Sequence, residues 1–83
     1  VARDRENPFA WYELGMVYGA KGDIPRAQLA SAEQQIMSDN PAEAFRSANA
    51  AEASLPKGSS DWIRAQDISM EARAQLERKK HHK

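Results

Sequence analysis

Helix-breaking residues recur along this chain every 17 residues, at Gly22, Asp39 and Pro56. Each break separates two segments whose apolar residues have helical spacing, and no segment alternates apolar and polar residues as a strand does. Capping residues stand near the segment starts, and Glu43 follows Asn40 by three residues, as in a capping box. We therefore predict an all-α fold of about four antiparallel helices with short connections. The predicted helices cover 8–21, 24–37, 41–55 and 60–78.

Alanine makes up a large part of the apolar content. The 83 residues include 15 alanines, whereas leucine, isoleucine, valine and phenylalanine together number only 12. Alanine favours helices and lets neighbouring backbones approach closely, whereas the β-branched residues that favour strands are scarce. Disordered chains are also poor in large aliphatic residues, but they carry a high net charge, and here 12 basic residues balance 12 acidic ones. The composition therefore predicts thin layers of closely packed helices.

Several classes of protein are excluded by the composition. The chain has no run of about 18 apolar residues that could span a membrane, and no cysteine for a disulfide, a thiolate nucleophile or a cysteine zinc site. A balanced charge argues against a dedicated nucleic-acid-binding protein. We expect one domain over 1–79, followed by a flexible basic tail at 80–83. Because the chain begins with Val1 and shows no signal-peptide pattern, we expect it to be a piece of a longer protein.

The sequence contains no set of residues that we expect to act in catalysis, cofactor binding or metal coordination. His81 and His82 are adjacent, so their side chains would point about 100° apart on a helix and do not form the i, i+4 pair of a zinc-binding helix. Ser59 and Ser60 stand where a helix needs a cap. The charged residues are expected on solvated helix faces, where ion pairs contribute little. A small independent enzyme or metal protein is therefore the least favoured function.

Twice the 17-residue interval is 34 residues, which is the period of the tetratricopeptide repeat (TPR), a pair of antiparallel helices. The first predicted helix carries the pattern W-x2-L-G-x2-Y of that family as Trp11, Leu14, Gly15 and Tyr18. The chain thus resembles a fragment of a TPR-like α-solenoid, in which stacked helix pairs cover one another's apolar edges. The resemblance assigns further structural positions to Gly22, Ala27, Ala44, Ala48, Ala51, Pro56 and Trp62.

Four stretches of the chain resemble a more specific family. They are 10–23, 29–33, 55–59 and 62–68, and the last is the most discriminating. Together they are similar to the C-terminal TPR segment of bacterial HExxH zinc metalloproteases of the periplasmic, outer-membrane quality-control type. The resemblance implies a parent protein whose zinc-binding protease domain lies upstream. This chain has no HExxH, so no protease residue carries over, and zinc is a cofactor of the implied parent only. Asp39-Asn40 departs from the family pattern, which has Gly-Asp at that turn.

The resemblance also implies a protein-binding groove, which in TPR arrays is lined by the first helix of each pair. The implied groove positions are Phe9, Tyr12 and Met16, with a second row at Arg26, Leu29 and Glu33. The implied inward-packing positions on the first helix are Trp11, Leu14 and Tyr18. For the first row of groove positions, contact with a preceding repeat is an equally supported alternative. Both alternatives predict an exposed apolar patch on the first helix.

The sequence therefore predicts a protein–protein interaction module without catalytic activity of its own. By resemblance it is the TPR part of a larger periplasmic zinc metalloprotease and engages substrate or partner proteins. The alternative is a free-standing TPR adaptor or scaffold protein in the cytoplasm, without an attached protease. Expected partners are a protein or peptide ligand, the upstream protease domain or outer-membrane assembly proteins, and self-association of two copies stays open. Nucleic acid is not an expected partner, and no transmembrane segment is expected.

Overall fold

The computed structural model describes the backbone of residues 7–81 and the side chains of residues 7–79. The helices are α1 (Pro8–Ala20), α2 (Ile24–Met37), α3 (Pro41–Ser54) and α4 (Ser60–His81). No strand occurs among the described residues, which confirms the predicted all-α fold. The helices begin at the predicted residues, but α4 continues to His81 instead of ending at 78. Of the predicted tail, residues 80 and 81 therefore belong to α4, and residues 82 and 83 lie outside the described residues.

Side-chain caps hold the starts of three helices. In each case the side-chain oxygen of the residue before the helix accepts a hydrogen bond from a backbone N–H in the first turn, which would otherwise lack a partner. A proline also stands in the first turn of α1 and α2, where its missing N–H removes no helical hydrogen bond. The cap bonds run from Phe9 N–H to Asn7 (2.9 Å), from Arg26 N–H to Asp23 (3.3 Å) and from Trp62 N–H to Ser59 (3.1 Å).

The start of α3 differs from the predicted capping box. The Asn40 side chain makes no cap hydrogen bond, and the Glu43 carboxylate pairs instead with Arg46 at 3.0 Å. A capping box requires Glu43 to accept from the backbone N–H of Asn40. That N–H already donates to the carbonyl of Gln35 at 2.9 Å, because the connection from α2 to α3 is tight. The prediction of a capping box at this helix was therefore wrong.

Two of the helix breaks have the same backbone geometry although one lacks glycine. Gly22 has a φ of 80° and Asp39 a φ of 60°, both in the left-handed region. In each turn the next residue donates its backbone N–H to a carbonyl five residues earlier, at 2.9 Å. This arrangement closes the last turn of a helix and normally uses glycine, since a side chain crowds the backbone there. Asp39 therefore adopts a strained conformation at the end of α2.

Asp39→Gly should give a more stable protein than Asp39→Ala by about 1 kcal/mol, because only alanine keeps a Cβ at positive φ. Both variants lose the exposed ion pair between Asp39 and Lys79, which are 3.6 Å apart, so the pair cancels in the comparison. Urea denaturation followed by circular dichroism measures the difference. Equal stability of the two variants would show that position 39 is not in the left-handed region.

The core lies between α2, α3 and α4. Its large side chains are few, and alanines at helical spacing on facing helices bring the backbones close together. Ile36, Phe45 and Trp62 are partly buried and pack against this core. The buried core residues are Leu29, Ala32, Ala44, Ala48, Ala51, Leu55, Ala65, Ile68 and Ala72.

The helix α1 packs on α2 and makes no comparably extensive contact with α3 or α4. None of its residues is buried. Gly15 faces α2, and a Cβ built there would lie 3.5 Å from the Cβ of Ala30, an ordinary van der Waals contact. One side of α1 is therefore covered by a single neighbour, while the rest of its surface is open. None of the described helices is both long and apolar enough to cross a bilayer.

Candidate functional site

An open groove of about 540 Å³ lies between α1 and α4, with α2 as its floor. We refer to it as the α1–α4 groove. It forms because α1 and α4 both pack on α2 but make no comparably extensive contact with each other. The residues that line it are Trp11, Leu14, Tyr18, Arg26, Leu29, Ala30, Glu33, Met37, Asp61 and Arg64.

The wall formed by α1 is apolar. Trp11, Leu14 and Tyr18 are spaced i, i+3 and i+7, so they share one side of the helix. Trp11 and Tyr18 are half-buried and Leu14 is exposed. The wall therefore offers two aromatic side chains and one aliphatic side chain that a bound molecule could remove from water.

The floor formed by α2 is apolar as well, with one acidic residue in it. Leu29 and Ala30 are buried beneath the groove, and Met37 is half-buried at one end. Glu33 lies four residues after Leu29, on the same strip of helix, and is only 5% exposed. A carboxylate this deeply buried requires a partner, because burying an isolated charge is strongly unfavourable.

Arg64 of α4 supplies that partner. Its Nε donates to one carboxylate oxygen of Glu33 and its Nη2 to the other, both at 2.7 Å. The hydrogen bond to Glu33 raises the pKa of Arg64, while partial burial of the guanidinium acts in the opposite direction. The side chain of Arg64 remains half exposed toward the groove. This two-point ion pair joins the middle of α2 to α4 and holds the charged guanidinium at the groove surface.

A second interhelical pair lies where α2 and α4 begin. Arg26 Nε donates to Asp61 at 3.0 Å, and Arg26 Nη1 donates to Asp23 at 3.3 Å. The hydrogen bond to Asp61, followed by the attraction of Asp23, raises the pKa of Arg26. Because this pair joins the starts of α2 and α4 and the Asp39–Lys79 pair joins their ends, the two helices run in the same direction.

The structure brings some of the predicted groove residues together and separates others. The predicted second row, Arg26, Leu29 and Glu33, lines the α1–α4 groove. The predicted first row does not line it: Phe9, Tyr12 and Met16 are 62%, 53% and 59% exposed on the part of α1 that α2 leaves uncovered.

The residues expected to pack inward on α1 line the groove instead, because neither α3 nor α4 covers that side of the helix. Of the other structural positions, Ala44, Ala48 and Ala51 are fully buried in the core, and Trp62 is partly buried against it. The backbone carbonyl of Ala27 faces α1 near Gly15. Gly22 is in the turn after α1, and Pro56 is exposed in the connection from α3 to α4.

Four lining residues were not predicted: Ala30, Met37, Asp61 and Arg64. One signal in the sequence pointed to part of this set. Glu33 interrupts the apolar strip of α2 at a helical interval from Leu29, and an acidic residue in such a strip requires a basic partner. The sequence offers several arginines, however, and nothing in it selects Arg64, which is 31 residues away.

The chemistry available in the α1–α4 groove is that of binding. Its charged groups form two compensated ion pairs, and its remaining surface is aromatic and aliphatic. Among the side chains of residues 7–79, no three His, Cys, Asp or Glu residues are grouped closely enough to hold a metal ion. The side chains of His81 and His82, which the sequence predicts not to form an i, i+4 metal-binding pair, lie outside the described residues.

Compared with known proteins, the chain matches no protein-family model, no curated protein and no solved structure.

Proposed function

We propose that this chain is a non-catalytic interaction module that binds a segment of another protein in the α1–α4 groove. The observation that carries the proposal is the pairing of an apolar wall with two charged guanidinium groups across one open groove. Its volume of about 540 Å³ is within the range of sites that enclose ligands. Sites of this kind gain affinity from the buried apolar surface and orientation from a few polar groups.

The two walls specify the kind of segment that fits. A groove flanked by two helices suits an amphipathic helix that places its apolar side against Trp11, Leu14 and Tyr18. Arg64 uses Nε and Nη2 on Glu33, and its Nη1 donates to no described residue. A carboxylate or carbonyl of the ligand could therefore accept a hydrogen bond from Arg64 without displacing Glu33. We expect the preferred ligand to combine apolar residues at helical spacing with an acidic residue on one edge.

Selection of peptides from a random display library on the purified chain tests this proposal. Leu14→Asp should weaken the selected peptides about tenfold or more, because it places a charge on the apolar wall. Met70→Asp is the control, since Met70 is 62% exposed on α4 and does not line the groove. Fluorescence anisotropy with labelled peptides gives both dissociation constants. If Met16→Asp abolishes binding and Leu14→Asp does not, the site is the row predicted from the sequence and not the α1–α4 groove.

On the sequence resemblance alone, we further propose that the module is the TPR part of a larger periplasmic zinc metalloprotease. In that setting the groove would hold substrate or an outer-membrane assembly partner near the zinc of the upstream domain. A free-standing TPR scaffold in the cytoplasm is the alternative. The upstream sequence of the gene distinguishes them: an HExxH helix preceded by a signal peptide supports the protease. Further TPR units without a zinc motif would exclude it.

A further inference from the structure

The end of the α1–α4 groove at the starts of α2 and α4 carries an excess of negative charge. There a single guanidinium, that of Arg26, is shared between the carboxylates of Asp23 and Asp61. Only the Oδ2 atom of Asp61 accepts from Arg26, and the Asp61 side chain is 38% exposed. Its second oxygen is therefore available to accept a hydrogen bond from a cationic group of a bound molecule.

The opposite end of the groove carries an excess of positive charge. It opens into a second hollow of about 390 Å³, and Met37, the last residue of α2, lines both. Two cations, Arg78 and Lys79, line this hollow with a single carboxylate, that of Asp39. Asp39 pairs with Lys79, whereas Arg78 is exposed and makes no hydrogen bond or ion pair with any residue that the structure describes. Arg78 is therefore available to an acidic group of a bound molecule.

We infer that the α1–α4 groove binds its helix in one direction, antiparallel to α2 and α4, with acidic residues in the first turn of the ligand and basic residues in its last turn. This inference rests on the proposed function and adds the direction and the charge pattern of the ligand. Asp61 and Arg78 are 17 residues apart on α4, which is roughly 26 Å along the helix. A ligand helix of about 17 residues therefore reaches both ends of the groove.

Helix dipoles favour the antiparallel direction. Because α2 and α4 run in the same direction, their partial charges at each end of the groove have the same sign. A helix antiparallel to both places each of its own ends beside two ends of opposite partial charge, whereas a parallel helix meets like charges. The dipole of the ligand also favours acidic residues in its first turn and basic residues in its last. Such a helix presents its acidic turn to Arg78 and its basic turn to Asp61 only when it is antiparallel to α4.

Arg64 favours the same direction for a local reason. It follows Asp61 by three residues on α4, and its Nη1 donates to no described residue. An antiparallel ligand passes Arg64 before Asp61, so its acidic residue for Arg64 precedes its basic residue for Asp61 by three or four positions. Glutamate N-terminal to lysine at this spacing stabilises a helix better than the reverse order does. The antiparallel ligand is therefore also the more stable helix.

A nitroxide label on a peptide selected on the groove tests the direction. On the N-terminus of the peptide, the label should broaden the backbone ¹H–¹⁵N signals of Arg78 and Lys79 more than those of Arg26 and Asp61, and a C-terminal label should do the reverse. Leu14→Asp verifies that the same peptide occupies the groove. If Leu14→Asp leaves binding intact, the proposed function fails and this inference fails with it. If Leu14→Asp weakens binding but the N-terminal label broadens Arg26 and Asp61 at least as strongly, only the inferred direction is wrong.

Arg78→Glu tests the charge pattern. The selected peptide is synthesised with glutamates in its first turn and lysines in its last turn, and again with the two exchanged. The first form should bind the unaltered chain about threefold or more tightly than the second, and Arg78→Glu should remove that preference. Arg73→Glu is the matched control, because it makes the same change in net charge at an exposed position of α4 outside the groove and the hollow. Equal binding of the two peptides, or equal effects of the two variants, would overturn the inference.

Discussion

Replacing Ile68 with alanine should lower the free energy of unfolding by about 3 kcal/mol. Ile68 is 1% exposed and is the one large side chain among the described residues that is fully buried. The core around it consists mainly of alanines, including Ala48 and Ala72, whose short side chains cannot move into the vacated space. A domain of this size has a total stability of only about 4–12 kcal/mol, so this single change removes a large part of it.

Ile63→Ala is the matched control for Ile68→Ala. Both residues are on α4, but Ile63 is 47% exposed, so its replacement should change the unfolding free energy by less than about 1 kcal/mol. Urea denaturation followed by circular dichroism compares the two variants directly. If they lose similar amounts of stability, then α4 does not present Ile68 to the core and its orientation in this structure is wrong.

The second large effect is expected at the ion pair below the groove. Arg64→Ala should lower the free energy of unfolding by about 2 kcal/mol, because it leaves the Glu33 carboxylate buried without its cation. The effect is smaller than for a fully buried pair, since half of the Arg64 side chain is exposed and the groove admits water. Thermal and urea unfolding measure the loss, and removal of Arg64 should also weaken any peptide that uses its guanidinium.

Arg26→Ala provides the comparison for Arg64→Ala. Arg26 also joins α2 to α4, but its partners Asp23 and Asp61 are partly exposed. Its removal should lower stability by clearly less than the removal of Arg64, as for other exposed ion pairs. Equal losses for the two variants would mean that Glu33 is solvated in solution, and the description of the groove floor would have to be abandoned.

The helices and most of the core could be predicted from local patterns. Capping residues and prolines are local signals, so the start of each helix follows from a few neighbouring residues. Likewise, the alanines at positions 44, 48 and 51 recur at helical spacing, and the structure buries all three. The capping box at Asn40 was wrong for a local reason too: Asp39 takes a left-handed turn, which redirects the backbone N–H of the next residue.

The α1–α4 groove could not be predicted in the same way. Its walls depend on the angles at which α1 and α4 pack on α2, and the spacing of residues within a helix does not determine those angles. Trp11, Leu14 and Tyr18 form an apolar row whether a neighbouring helix covers them or not. The pairing of Glu33 with Arg64 also joins residues that are 31 positions apart, and the sequence offers several other basic residues as partners. Sequence patterns show which side of a helix is apolar, but the tertiary fold decides what covers it.

Mapping a selected peptide onto the chain by two-dimensional ¹H–¹⁵N nuclear magnetic resonance tests the α1–α4 groove most directly. On titration, the backbone amides with the largest changes in chemical shift should be those of groove residues from all three helices, above all Leu14, Ala30 and Arg64. That of Met70, on an uncovered part of α4, should stay unchanged. Changes centred on Phe9, Tyr12 and Met16, or spread over the chain without a maximum at the groove, would contradict the proposed binding site.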